Sequence, residues 1–166
     1  MMINLSQLKH VALFISLAAQ ASCMDNDVDS DANRESRISS ELATTVEIRS
    51  NWNNKCMDMG TNLSNGAPVA LWDCWGGANQ HWYWNGEEIR SSVNNKCMDM
   101  QNNLSNGAPV VMWDCWGGVN QHWYWDGTQI KSRVNNKCMD MQANLNNGAP
   151  VAMWDCWGGA NQQWHS

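Results

Sequence analysis

The sequence predicts an all-β fold made of three copies of a 41-residue unit, related by pseudo-threefold symmetry. Cys56, Cys97 and Cys138 lie at 41-residue intervals, and the tryptophans further along each copy keep the same step. A fixed period of this length is typical of repeat architectures. Apolar and polar residues alternate over short runs, which favours strands, and no long helical apolar stripe is present. One such unit is too small to close a core, so the three copies are expected to share one.

The first 23 residues are predicted to be a signal peptide. Lys9 precedes an apolar run that ends at Ala19 and is too short to span a bilayer. The segment 19–21 then has the small-x-small pattern of a signal-peptidase site. The mature protein is therefore expected to be secreted, in an environment that permits disulfides.

Cys23 offers an alternative to simple cleavage. The segment 20–23 resembles a bacterial lipoprotein box, although Gln20 stands where an aliphatic residue is expected. On this alternative the protein is lipid-anchored to a bacterial membrane through Cys23. Residues 24–46 are predicted to be an acidic, disordered linker, because they bring together several aspartates with no recurring apolar face.

Each repeat is predicted to contain four short strands, which makes twelve in the chain. In the first copy they cover residues 47–50, 56–59, 69–72 and 82–84. Asn65-Gly66 is a strong turn signal between the second and third of these strands. Alternation places Cys56 and Asp58 on one face of their strand, and Ala70 and Trp72 on one face of theirs.

Three motifs of the form Gln-x-Trp, which end at Trp82, Trp123 and Trp164, resemble the motif of the ricin B-chain-type lectins. The Cys-Met-Asp segments and the paired cysteines resemble that family too. The resemblance covers residues 47–166 and implies a β-trefoil, which is a six-stranded barrel capped by three hairpins. It also implies a carbohydrate-binding module with one shallow sugar pocket in each repeat.

Each repeat has two cysteines, 18 residues apart, on strands joined by a turn. In an exported protein these equal pairs are expected to form disulfides within each repeat. The rival interpretation, a zinc site, lacks a second nearby pair of ligands. The predicted bridges are Cys56–Cys74, Cys97–Cys115 and Cys138–Cys156.

The resemblance assigns four kinds of residue to each sugar pocket. A carboxylate would bind sugar hydroxyls, an indole would stack under the ring, an asparagine would add an amide, and a glutamine would brace the site. These residues are Asp58, Trp72, Asn79 and Gln80, then Asp99, Trp113, Asn120 and Gln121, and finally Asp140, Trp154, Asn161 and Gln162. Replacing Asp99 with asparagine is expected to weaken binding and to leave thermal stability almost unchanged.

The remaining tryptophans have other predicted roles. The three tryptophans of the Gln-x-Trp motifs, together with Trp84 and Trp125, are expected in the core. A further tryptophan follows the second cysteine of each repeat, and two interpretations stay open: it widens the stacking platform for a longer glycan, or it covers the disulfide. These residues are Trp75, Trp116 and Trp157.

Composition and motifs also argue against other functions. Sixteen acidic residues against ten basic ones disfavour a nucleic-acid partner. Catalysis is not expected, because alternation points Asp73 away from Asp58 and no nucleophile accompanies His81. No cofactor or metal is expected. The predicted partner is a carbohydrate, galactose-like or xylan or another polysaccharide, and the alternative is a structural, protein-binding or inhibitory trefoil.

Overall fold

The computed structural model describes residues 44–166. The predicted signal peptide, Cys23 and nearly all of the predicted acidic linker lie outside the described residues. Within residues 44–166, no helix has both the length and the apolar character needed to cross a membrane.

The described chain contains fifteen short strands and three single-turn 3₁₀ helices, at Ala78–Gln80, Val119–Gln121 and Ala160–Gln162. Each copy of the repeat contributes five strands. They are β1 (Arg49–Ser50), β2 (Cys56–Asp58), β3 (Ala67–Pro68), β4 (Ala70–Trp72) and β5 (Trp82–Asn85); β6 (Glu88–Ser91), β7 (Cys97–Asp99), β8 (Ala108–Pro109), β9 (Val111–Trp113) and β10 (Trp123–Asp126); and β11 (Gln129–Ser132), β12 (Cys138–Asp140), β13 (Ala149–Pro150), β14 (Ala152–Trp154) and β15 (Trp164–His165).

Fifteen strands replace the twelve predicted because the chain changes partners around Val69 and its copies. Strand β3 pairs with β9 of the next repeat, whereas β4 pairs with β2 of its own repeat. Pro68 stands at this change, where its missing N–H removes one potential ladder hydrogen bond. The predicted third strand is therefore one extended run that serves two neighbours.

Each of the three sheets combines three strands of one repeat with two strands of the repeat before it. The orders are β13-β4-β2-β1-β15, β3-β9-β7-β6-β5 and β10-β11-β12-β14-β8. Pairing of Ser50 with Trp164 joins the first and last strands and closes the ring. The result is a β-trefoil, in which no repeat completes a sheet alone.

Methionines and the tryptophans of the Gln-x-Trp motifs fill the shared core. Trp82, Trp123 and Trp164 are fully buried, as predicted. The Trp82 indole N–H donates to the Met57 carbonyl oxygen at 3.1 Å, and the other two copies repeat this bond. Trp84 and Trp125 are only partly buried and pack against this core, with ring centroids 6.4 Å apart.

The folded domain begins before the predicted boundary at Glu47. Val46 exchanges two backbone hydrogen bonds with Trp82, both of 2.8 Å, and packs against the core. At least this last residue of the predicted linker is therefore part of the trefoil.

Three disulfides tie the second strand of each repeat to the segment after its fourth strand. The bridges are Cys56–Cys74, Cys97–Cys115 and Cys138–Cys156, the pairing predicted from their spacing. A loop of this length is expected to contribute about 3 kcal/mol each time, through the lowered entropy of the unfolded chain.

Candidate functional site

A buried carboxylate lies at the centre of each repeat, at the end of the strand that carries the first cysteine. In the second repeat, Asp99 is only 3% exposed. Its Oδ1 accepts from the Gln101 backbone N–H at 2.5 Å and from Asn120 Nδ2 at 2.7 Å. Its Oδ2 accepts from Gln121 Nε2 at 2.9 Å. The donors from residues 120 and 121 come from the 3₁₀ helix, so this short turn positions the carboxylate.

The other two repeats build the same network. Asp58 accepts from the Gly60 N–H, Asn79 and Gln80 at 2.6, 2.6 and 3.0 Å. Asp140 accepts from the Gln142 N–H, Asn161 and Gln162 at 2.6, 2.7 and 2.9 Å. The predicted Asp, Asn and Gln residues of each repeat are therefore brought together.

Asp99 supports the fold and also lines a cleft. A carboxylate can accept about four hydrogen bonds, and three are made inside the protein. These three bonds leave one acceptor position of the carboxylate unused. The expectation that Asp99→Asn leaves stability almost unchanged conflicts with this arrangement, because a buried acceptor of three donors is costly to alter.

Gln121 lies behind the site. Its side chain is fully buried, and Nε2 also donates to the Asp114 carbonyl oxygen at 3.0 Å. Its Oε1 accepts from the Trp116 backbone N–H at 3.0 Å. Gln80 and Gln162 make the same contacts in their repeats. These glutamines thus have the geometry of the predicted brace, and they hold the carboxylate and the segment after the second cysteine together.

An open cleft of about 820 Å³ lies above Asp99, and we call it the repeat-2 cleft. The predicted stacking residue Trp113 forms one side of it and is 37% exposed. Asp99 pairs with Val111 across the two strands, so Trp113 lies two residues further along the same face. The lining residues are Asp99, Gln101, Asn102, Asn103, Trp113, Trp116 and Asn120.

The repeat-3 cleft is smaller, about 400 Å³, and is lined by Asp140, Gln142, Trp154, Trp157 and Asn161. Ala143 there replaces Asn102. We call residues 101–103 and their counterparts in the other repeats the rim of each cleft. In the first repeat, Gly60 and Thr61 occupy the positions of Gln101 and Asn102, so neither of these two positions carries an amide side chain. The three repeats share a floor and differ at this rim.

Two of the rim residues carry an unusual backbone conformation. Gln101 and Gln142 have φ of 57° and 55°, a left-handed region that is unfavourable for residues other than glycine. Gly60 adopts the same conformation, with φ 67°. Sequence reasoning did not assign Gln101 or Gln142 to the site. The signal that could have found them is the Gly/Gln/Gln difference between otherwise similar copies.

A clamp between repeats holds the Asn65-Gly66 turn, which lies beside the exposed indole of Trp113. Asn65 Nδ2 donates to Asp114 Oδ2 at 2.8 Å, and the Asp114 N–H donates to Asn65 Oδ1 at 3.0 Å. Lys96 pairs with both side chains. The adjoining Gly66 lies close to the Trp113 ring. A Cβ atom on Gly66 would stand 3.7 Å from the nearest carbon of that ring.

The same clamp joins Lys55, Asp73 and Asn147, and Lys137, Asp155 and Asn106. The hydrogen bond from the lysine, and then the one from the asparagine, lowers the pKa of each of these aspartates below its usual value of 3.8. The Asp73 carboxylate therefore has different partners from the Asp58 carboxylate, which accepts from Asn79 and Gln80. The two carboxylates share no hydrogen-bond donor among the described residues.

Two groups of potential metal ligands occur among the described residues, Glu47 with Cys56 and Cys74, and Glu88 with Cys97 and Cys115. In both, the two sulfur atoms are joined in a disulfide. Neither group therefore offers the thiolates that a zinc site would use.

Comparison with known proteins gives a consistent result for this domain. Residues 44–164 match the family model described as the ricin-type beta-trefoil lectin domain. No curated protein sequence matches the chain.

Several solved structures share the fold. The designed 3-fold symmetric protein ThreeFoil is 26% identical, with a TM-score of 0.67 over 72% of this chain and 95% of its own. The C-half of the earthworm R-type lectin, solved with GalNAc, is 24% identical, with a TM-score of 0.65 over 73% and 95%. An exo-beta-1,3-galactanase from Clostridium thermocellum is 25% identical, with a TM-score of 0.67 over 73% of this chain but only 29% of the enzyme.

Proposed function

The chain belongs to the family of ricin-type β-trefoil lectin domains, which are carbohydrate-binding modules, and we propose that it binds glycans through up to three shallow pockets, one per repeat. The observation that carries this proposal is the repeated pairing of a buried, oriented carboxylate with an exposed indole. A sugar presents hydroxyl groups that need directed acceptors and a C–H face that can lie on a flat ring. The repeat-2 cleft offers both, since Asp99 lies at its floor and Trp113 at its side.

Within each pocket, the residues take distinct roles. Asp58, Asp99 and Asp140 accept from sugar hydroxyls with their remaining lone pairs. Trp72, Trp113 and Trp154 supply the stacking surface, which favours an apolar face. Asn79, Asn120 and Asn161 hold the carboxylate and present an amide to the cleft. Gln80, Gln121 and Gln162 position the carboxylate from behind.

Several weak sites suit a module that captures polysaccharide. An open pocket buries little of a monosaccharide, so we expect affinity near the millimolar level, about −4 kcal/mol. Pockets linked on one body can raise avidity by roughly 10²–10⁴-fold on a surface that presents many sugars. Galactose-like sugars and xylan are the first ligands to test.

We further propose that the protein works outside the cell and carries out no catalysis. Residues 1–23 would direct export, residues 24–46 would act as an acidic spacer, and residues 47–166, with Val46, would form the lectin domain. Three disulfides are compatible with an oxidising compartment. Acylation of Cys23, which would anchor the protein to a bacterial membrane, is the alternative destination.

A glycan array with matched tryptophan variants tests this function. The parent protein and a Trp52→Ala variant should bind the same glycans, because Trp52 is 43% exposed but does not line either described cleft. A variant in which Trp72, Trp113 and Trp154 are all replaced by alanine should lose binding. Absence of any parent binding, or equal binding by the triple variant, would contradict the proposal and favour a structural or protein-binding trefoil.

A further inference from the structure

We infer that Trp116 and Trp157 form a second aromatic surface in the repeat-2 and repeat-3 clefts, where they hold a second sugar unit beside the one bound at the aspartate. The inference rests on the proposed carbohydrate function. It narrows the ligand class to oligosaccharides of at least two linked sugars rather than single monosaccharides.

The exposure of these side chains is the first observation. Trp116 is 63% exposed, far more than Trp113 in the same cleft. Trp157 is similarly exposed beside Trp154 in the repeat-3 cleft. A large apolar surface left in water is unfavourable, and such surfaces mark interaction sites when they adjoin a polar pocket. Two indoles on one cleft give two flat faces next to one carboxylate.

The ring of Trp116 lies against the backbone of its own loop. Gly118 lies directly beneath it, since a Cβ at that position would stand 2.1 Å from the ring. Any larger residue would push the ring away. The backbone N–H of Trp116 also donates to Gln121, which orients Asp99 through its other end. The backbone that carries the second aromatic surface is therefore bonded to the residue that orients the carboxylate, and such preorganisation lowers the entropic cost of binding an extended ligand.

Three other residues of the cleft lining supply polar partners for a longer ligand. Gln101, Asn102 and Asn103 line the repeat-2 cleft with amides that can both donate and accept. Gly60 adopts the same left-handed conformation without strain, so the backbone does not require glutamine here. At about 820 Å³ the cleft reaches the size that accommodates a drug-sized ligand, more than one sugar ring fills.

The test measures how affinity depends on ligand length in one repeat. Trp72→Ala and Trp154→Ala silence the stacking surfaces of the other repeats in the full chain and leave Asp99 untouched. In this background, calorimetry with galactose, lactose, xylose and xylotriose gives the gain from added sugar units. We expect one longer ligand to bind at least about tenfold more tightly than its monosaccharide, equivalent to about 1.4 kcal/mol.

Replacing Trp116 separates the two surfaces. Trp116→Leu should remove the gain from added units and change monosaccharide affinity less than about twofold, whereas Trp116→Phe, which keeps a flat ring, should retain most of the gain. Trp52→Ala is the matched control and should change neither value.

Equal loss for short and long ligands, or no gain with length in the background protein, would overturn the second surface and leave the lectin function standing. Failure of the background protein to bind any of the four sugars would overturn the second surface as proposed for these ligands, whereas only absence of parent binding on the glycan array would contradict the lectin function as well.

Discussion

Asp99→Asn should weaken both the fold and the site, because one carboxylate serves both. The substitution keeps the side-chain size but turns one oxygen into an NH₂ group. In the parent protein, Gln121 Nε2 donates to Oδ2 at 2.9 Å. If the asparagine keeps its oxygen at the Oδ1 position for the other two donors, its NH₂ group replaces Oδ2, and two donor groups then face each other. A lost hydrogen bond to a buried charged group costs about 1.5–3 kcal/mol. For a domain of this size, we expect the Tm to fall by roughly 5–12 °C.

Thermal unfolding by circular dichroism measures this effect, and sugar titration of the same samples follows binding. Asp126→Asn is the matched control, since that aspartate is exposed, pairs with Lys131 on the neighbouring strand and lines neither described cleft. We expect the control to lower Tm far less than Asp99→Asn and to keep sugar binding. If Asp99→Asn lost binding and melted like the parent protein, the carboxylate would be a simple ligand and the proposed dual role would be wrong.

Three further predictions follow from the fold and the clamps. Non-reducing peptide mapping should recover the three disulfides within repeats, and replacing Cys97 and Cys115 together with alanine should cost about 3 kcal/mol; bridges between repeats would refute this pairing. Because the folded-state pKa values of Asp73, Asp114 and Asp155 are lowered, their stabilisation is present above their usual value of 3.8 and is lost as pH falls through the lowered values. Replacing all three with asparagine should therefore flatten the acid-side fall in Tm, and an unchanged slope would remove the clamps from the account. A peptide of residues 47–87 should lack stable strand structure by circular dichroism, because each sheet takes strands from two repeats; a cooperatively melting peptide would contradict this.

The repeat and its strands could be predicted from the sequence because their signals are local. The 41-residue period predicted the pseudo-threefold plan, and alternation put Leu71 and Trp72 on opposite faces of their strand, of which the structure buries Leu71 and exposes Trp72. The change of partners at Val69 could not be predicted in this way. It depends on β9 of the next repeat lying beside Pro68, and no pattern within one copy reports on that neighbour.

The contacts among three of the predicted site residues agree with the structure, but the burial of the carboxylate was not predicted. Family resemblance brought Asp99, Asn120 and Gln121 together, and the structure places all three in one network. The burial of the carboxylate was missed because its side-chain donors stand 21 and 22 residues away, on a turn with no strong sequence signal. The clamp of Asn65 with Asp114 was missed for the same reason, since 49 residues separate the partners.

Site-resolved NMR of the tryptophan indole N–H groups gives the most direct test that sugars bind at the carboxylate–indole clefts. The glycan with the strongest array signal would be titrated into ¹⁵N-labelled protein. The account predicts saturable shifts for the indoles of Trp72, Trp113 and Trp154, while those of Trp82, Trp123 and Trp164, buried and bonded to methionine carbonyls, stay in place. Shifts confined to Trp52, or shared equally by the buried and the exposed indoles, would contradict it.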